Sequence, residues 1–180
     1  PHVSPWAPDG RSLVIVSDNA LVLQPLHVNS RIQKARNLFQ SDEVHTAAFS
    51  PSGEYIAFGR RAADGTDRGL WLAATHGRAD PWPVVSPTDD IFTACCPHWS
   101  PDSEQIAFMH AYEGGALGVV DVEDVEAVTA IEAAWEPIRW LPDNSAVLYP
   151  AIPYGGPYDG LWEYSPQTHT SRRVAFADRL

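Results

Sequence analysis

Apolar and polar positions in this chain alternate in short runs rather than recurring at helical spacing. Four runs, Leu13-Val14-Ile15-Val16, Tyr55-Ile56-Ala57-Phe58, Gln105-Ile106-Ala107-Phe108-Met109 and Ala146-Val147-Leu148-Tyr149, have the length and the β-branched and aromatic content of strands. Each is followed by a second run: Ala20-Leu21-Val22-Leu23, Gly69-Leu70-Trp71-Leu72, Ala116-Leu117-Gly118-Val119-Val120 and Gly160-Leu161-Trp162-Glu163-Tyr164. A weaker third run passes through Ala35 to Phe39, Trp82 to Val85, Ala127 to Ile131 and Arg172 to Phe176. With the segment that leads into each first run, the pattern predicts four strands per unit and an all-β fold.

A turn signal stands before every first run. Trp6-Ala7-Pro8-Asp9-Gly10, Phe49-Ser50-Pro51-Ser52-Gly53, Trp99-Ser100-Pro101-Asp102-Ser103 and Trp140-Leu141-Pro142-Asp143-Asn144 start 43, 50 and 41 residues apart. Proline sets φ for turn entry, Asp or Ser bonds the backbone that follows, and Gly or Asn tolerates positive φ. Four such turns in phase, each leading into the same strand pattern, mark an internal repeat. A helix competes at Asp121 to Trp135, where Val122, Val125, Val128 and Ile131 recur every three residues, and at Ser30 to Phe39. The β-branched content and the repeat phase favour strands in both places.

These repeats resemble the TolB-like β-propeller family, bacterial relatives of WD repeats, whose blades carry an aromatic-Ser-Pro-Asp-Gly turn before an Ile-Ala-Phe-like strand. The segments beginning at Phe49 and Trp99 match that pattern best. Ala7 and Leu141 depart from the motif Ser, Ser52 from Asp, and Ser103 and Asn144 from Gly, which weakens individual turns. The resemblance implies a β-propeller of four-stranded antiparallel blades, with approximate units 1–40, 41–88, 89–131 and 132–180, the strand before each turn innermost. The family usually has six blades. Four units therefore imply a piece of a longer chain; a closed four-blade ring and the pairing of two chains into one ring are the alternatives. Where four units do not close a ring by themselves, open strand edges invite self-association or further blades.

Charge narrows the partners. The 180 residues carry 12 Lys and Arg against 23 Asp and Glu, a net charge of −11, which opposes nucleic acid unless a basic face is segregated. The densest cationic stretch, Arg60, Arg61 and Arg68, is interrupted by Asp64 and Asp67. No apolar run reaches the ~20 residues that span a bilayer as a helix. Cys95 and Cys96 are the only cysteines and are adjacent, so they close no loop and give no spaced metal-ligand pair. Two small buried thiols are the simpler reading, and a strained vicinal disulfide is the other.

No Gly-x-Ser-x-Gly elbow, His-Glu-x-x-His, phosphate-binding glycine loop or EF-hand spacing occurs in the chain. The seven histidines, at 2, 27, 45, 76, 98, 110 and 169, lack the paired spacing of one metal-binding element. His2, His45 and His98 fall on the innermost strands implied by the resemblance, but His98 lies at a different offset from its aromatic. Asp121-Val122-Glu123-Asp124 reads as a solvated turn rather than a calcium loop. No metal, cofactor or catalytic residue is expected.

The resemblance places the long connections between second and third strands on one face, opposite the turns: Arg60 to Arg68, His110 to Gly115 and Pro150 to Asp159. Arg60, Arg61, Arg68, His110, Tyr112, Tyr154 and Tyr158 are the expected partner contacts, because Tyr and Arg supply interface anchors. The expected function is a non-catalytic scaffold that binds a protein through its loop face or axial opening, with the bacterial envelope as the family's best-known setting. The alternative is the substrate-gating propeller of a prolyl oligopeptidase-type serine peptidase whose catalytic domain lies outside these residues. A propeller lyase with axial His ligands stands behind both.

Overall fold

The computed structural model describes residues 6–17, 20–26, 34–40, 43–61, 69–76, 80–86, 94–110, 115–125, 129–132, 134–136, 138–151 and 159–176. These form fifteen strands in four antiparallel sheets, with no helix among the described residues. The first sheet holds β1 (Ser12–Ser17), β2 (Ala20–Pro25) and β3 (Arg36–Gln40). The second runs β4 (Glu43–Phe49), β5 (Tyr55–Arg61), β6 (Leu70–Ala74), β7 (Trp82–Val85). The third runs β8 (Ala94–Trp99), β9 (Gln105–His110), β10 (Ala116–Asp121), β11 (Thr129–Glu132). The fourth runs β12 (Arg139–Trp140), β13 (Val147–Ala151), β14 (Gly160–Ser165), β15 (Thr170–Phe176). Each is a meander of sequence neighbours. Where the valine spacing admits a helix, β11 is a strand paired with β10, and β3 likewise pairs with β2.

All four turns have one geometry. The residue after the aromatic donates its N–H to the carbonyl five residues on: Ala7 to Ser12, Ser50 to Tyr55, Ser100 to Gln105 and Leu141 to Ala146, at 2.8–2.9 Å. The fifth motif residue bonds back to that same position and takes positive φ: +67° at Gly10, +76° at Gly53, +69° at Ser103 and +62° at Asn144. The backbone bonds thus survive the loss of the motif Ser at Ala7 and Leu141. Where Ser is present it is buried, and its Oγ also accepts from the following strand, Tyr55 N–H onto Ser50 and Gln105 N–H onto Ser100.

The non-glycine residues at the left-handed position also bond across neighbouring turns. Ser103 Oγ accepts the N–H of Ser52 at 2.9 Å, and Asn144 Oδ1 accepts that of Asp102 at 3.1 Å. Each side chain ties its turn to the fourth motif residue of the preceding one. The strain of a side chain at positive φ is thereby offset by a bond between sheets.

Stacking explains why the first runs are apolar throughout instead of alternating with polar residues. Side chains alternate between faces, and a sheet with neighbours on both sides has no wet face. Ile56 and Phe58 pack with Val14, Leu21 and Val44 between the first and second sheets. Ala57 packs the other way, with Ile106 and Phe108 between the second and third. Ala107 and Met109 then pack with Val147, Tyr149 and Tyr164 between the third and fourth. In the first sheet Ile15, which occupies the position of Phe58 and Phe108, is 44% exposed.

Candidate functional site

The strands that lead into the turns, β4, β8 and β12, lie side by side at one edge of the stack. They are tied by indole bonds. Trp99 Nε1 donates to the Ala48 carbonyl at 3.1 Å, and Trp140 Nε1 to the His98 carbonyl at 2.8 Å. Each acceptor is the residue before the motif aromatic of the preceding unit, so Trp99 and Trp140 act as crossbars between neighbouring sheets. Trp6, the same position in the first unit, is 51% exposed.

A hollow of about 440 Å³ opens between these turns. Trp6, Phe49 and Trp99 supply its aromatic wall, and Pro8, Pro51 and Pro97 its stiff ridges. His98 and Arg139 are its polar members. His98 Nε2 lies 2.9 Å from Glu136 Oε1, which orients the imidazole. Arg139 is exposed and donates to its neighbour's carbonyl, Ile138, at 2.7 Å. An apolar aromatic bed beside one cation suits peptide or side-chain contact. Among the described residues no three of His, Cys, Asp and Glu converge to hold a metal ion. Asp121, part of the acidic run, accepts the N–H groups of Glu123 and Asp124 and so closes a turn. Sequence reasoning missed the hollow; the recurrent aromatic-Pro step was its signal.

The expected contact residues are dispersed. Arg60 belongs to β5, not to a connection, and its guanidinium lies over the rings of Trp71 at 4.3 Å and Phe39 at 5.2 Å. Arg61 extends that strand; its side chain, like all of Arg68, Tyr112, Tyr154 and Tyr158, lies outside the described residues, as does His2 and the side chain of His45. His110 corrects the expectation of an exposed loop. It is the last residue of β9, 4% exposed, with its ring centroid 6.2 Å from that of Phe108. The strand runs further than the apolar pattern indicates because pairing with Ala116 and Ala94 carries it to residue 110.

Burial holds the His110 pKa below its ordinary 6.5, and neither ring nitrogen has a hydrogen-bond partner among the described residues. The unfolded chain therefore binds this proton at pH values where the folded one does not. Stability is expected to fall as pH drops through about 6.5, with a limiting slope of about 1.4 kcal/mol per pH unit for one group. Urea midpoints at pH about 7.5 and about 5.5 check this; His110→Phe is expected to reduce the difference between them.

No protein-family model and no curated protein sequence matches the chain. Solved structures do. A protein designated TolB from Agrobacterium tumefaciens is similar at TM-score 0.66 and 15% identity, over 96% of this chain and 60% of its own. TolB from Acinetobacter baumannii is similar at 0.61 and 15%, over 92% and 41%. A protein designated a 6-phosphogluconolactonase from Bacteroides uniformis is similar at 0.62 and 12%, over 96% and 53%. The chain has a TolB-like fold. It spans about half the length of these structures, and at such identity the likeness carries fold alone, not activity.

Proposed function

We propose that the four sheets are blades of a β-propeller, approximate units 1–40, 41–88, 89–131 and 132–180, and that the domain is a non-catalytic scaffold for a protein partner. The observation that carries this reading is the hollow at the inner edges, where Trp6, Phe49 and Trp99 meet the cation of Arg139. Half-exposed tryptophan and arginine are the side chains that most often anchor protein contacts. The loop residues singled out from the sequence, Arg68, Tyr112, Tyr154 and Tyr158, are proposed as further partner contacts. The exposed Ile15 and Trp6 favour further blades or a second chain against the first sheet, since open blade faces are covered in such arrays. At net charge −11 the partner is a protein rather than nucleic acid.

A photo-crosslinking phenylalanine derivative at position 49 in the hollow, compared with one at exposed position 172 on β15, tests the scaffold reading in extracts of the source cells with Arg139 retained. Discrete adducts are expected from 49 and not from 172, and Trp6→Ala in the same chain is expected to reduce them about tenfold or more, the scale of a hot-spot truncation. Equal labelling from both positions would return the hollow to ordinary surface.

A further inference from the structure

In a regular strand the side chains of adjacent residues point to opposite faces, so neighbouring thiols are held apart. Cys95 and Cys96 are not. Their Sγ atoms lie 2.7 Å apart, inside the ordinary contact of two unbonded sulfurs. Two features of β8 produce this. Cys96 takes φ +58°, the left-handed region, within a strand, and the pairing of β8 with β9 slips between Cys95 and His98. Such a bulge re-aims a side chain and is often found beside functional groups. The bulged residue is held from the neighbouring sheet, where Thr46 Oγ1 accepts the Cys96 N–H at 3.3 Å. Both thiols are half-buried against the core between the third and fourth sheets, and so remain open to a small reagent.

We propose that Cys95 and Cys96 form a redox-active dithiol site that closes to a vicinal disulfide by exchange with small-molecule disulfides. The Cys96 thiolate attacks one sulfur of R–S–S–R; a Cys96–S–S–R bond forms and the first thiolate leaves, taking up a proton. Cys95, giving up its proton, then attacks the Cys96 sulfur and expels the second thiolate. The protein loses two protons and two electrons, and the reagent takes up both pairs to become two thiols. The order follows from the bond the two sulfurs share, which holds the Cys96 pKa down and, together with burial, pushes that of Cys95 up. The thiolate form is the nucleophile. Glu136 opposes both ionisations, and so favours the neutral closed pair. Adjacent Cα atoms sit about 3.8 Å apart, short of the ~4.4 Å lower end for ordinary disulfides, so the closed ring is strained and readily reopened by thiols.

The chain has no other cysteine, so its intact mass reads the site directly. The reduced 180-residue chain is incubated with glutathione disulfide, quenched with N-ethylmaleimide and weighed. The expected product is lighter than the reduced chain by two hydrogens, carries neither glutathione nor maleimide, and takes up two maleimides after dithiothreitol. Cys95→Ser, with Cys95→Ala as a second form should the first not fold, is expected to keep one glutathione on Cys96. A wild-type product bearing two maleimides, a retained glutathione or a disulfide between two chains would overturn the proposal, as would a Cys95 variant that acquires no glutathione.

Discussion

Phe108→Ala is expected to destabilise the protein by about 3–5 kcal/mol, the cost of truncating a fully buried aromatic. Phe108 has no exposed surface and fills the core between the second and third sheets with Ile106, Val120, Leu70 and Leu72. Across the strand pair it faces Gly118, where a Cβ would lie 2.3 Å from the ring. That glycine makes room for the ring, so no side chain on β10 can lean in to fill the space the ring would leave. Urea unfolding followed by tryptophan fluorescence measures the loss. A shift under about 1 kcal/mol would mean that the two sheets close over the gap.

Gly160→Ala is expected to be comparably damaging for a different reason. Gly160 sits at φ +130°, a region costly for any other residue, and a Cβ there would lie 2.2 Å from the Ala175 carbonyl oxygen. The oxygen belongs to the backbone of β15, so relief requires moving the strand and not turning a side chain. Strain and overpacking each cost about 1–3 kcal/mol. The damage is expected to stay local: faster amide exchange along β14 and β15, where pairing already slips between Leu161 and Trp162, and less change in β8 and β9. Uniform acceleration through all four sheets would show that the stack unfolds as one unit.

The two substitutions separate the layers of this structure. Phe108 lies between sheets and Gly160 within one, at its outer pair. The proposed function depends on the first kind of contact, because the hollow is built from the edges of several sheets at once. Trp99 and Trp140 reach across those edges, and the turns are joined by Ser103 and Asn144. Changes that loosen stacking are therefore expected to alter the hollow sooner than changes at the outer strands.

The four phased turns and the strands after them were legible from the chain, because backbone preferences at Pro, Asp, Gly and Asn act over a few residues. The predicted third runs, at Ala35 to Phe39, Trp82 to Val85, Ala127 to Ile131 and Arg172 to Phe176, correspond closely to β3, β7, β11 and β15. The candidate site was much less legible. Arg60 reads as a loop cation, yet it is stacked between Phe39 of one sheet and Trp71 of another. His110 reads as the start of a loop, yet it is buried at a strand end.

By itself, then, the sequence determined the period, the strand and turn types and the all-β class, each governed by local propensity and by the length and β-branched, aromatic content of short apolar runs. Only the tertiary structure decided which turns bond to one another, where the aromatics leave a hollow, that His110 is buried, and that two adjacent cysteines share one side of a strand. The joined turns, the hollow and the hold on Cys96 depend on residues some forty to fifty positions apart being brought together by stacking, the burial of His110 on strand pairing within its own sheet, and no local preference encodes either.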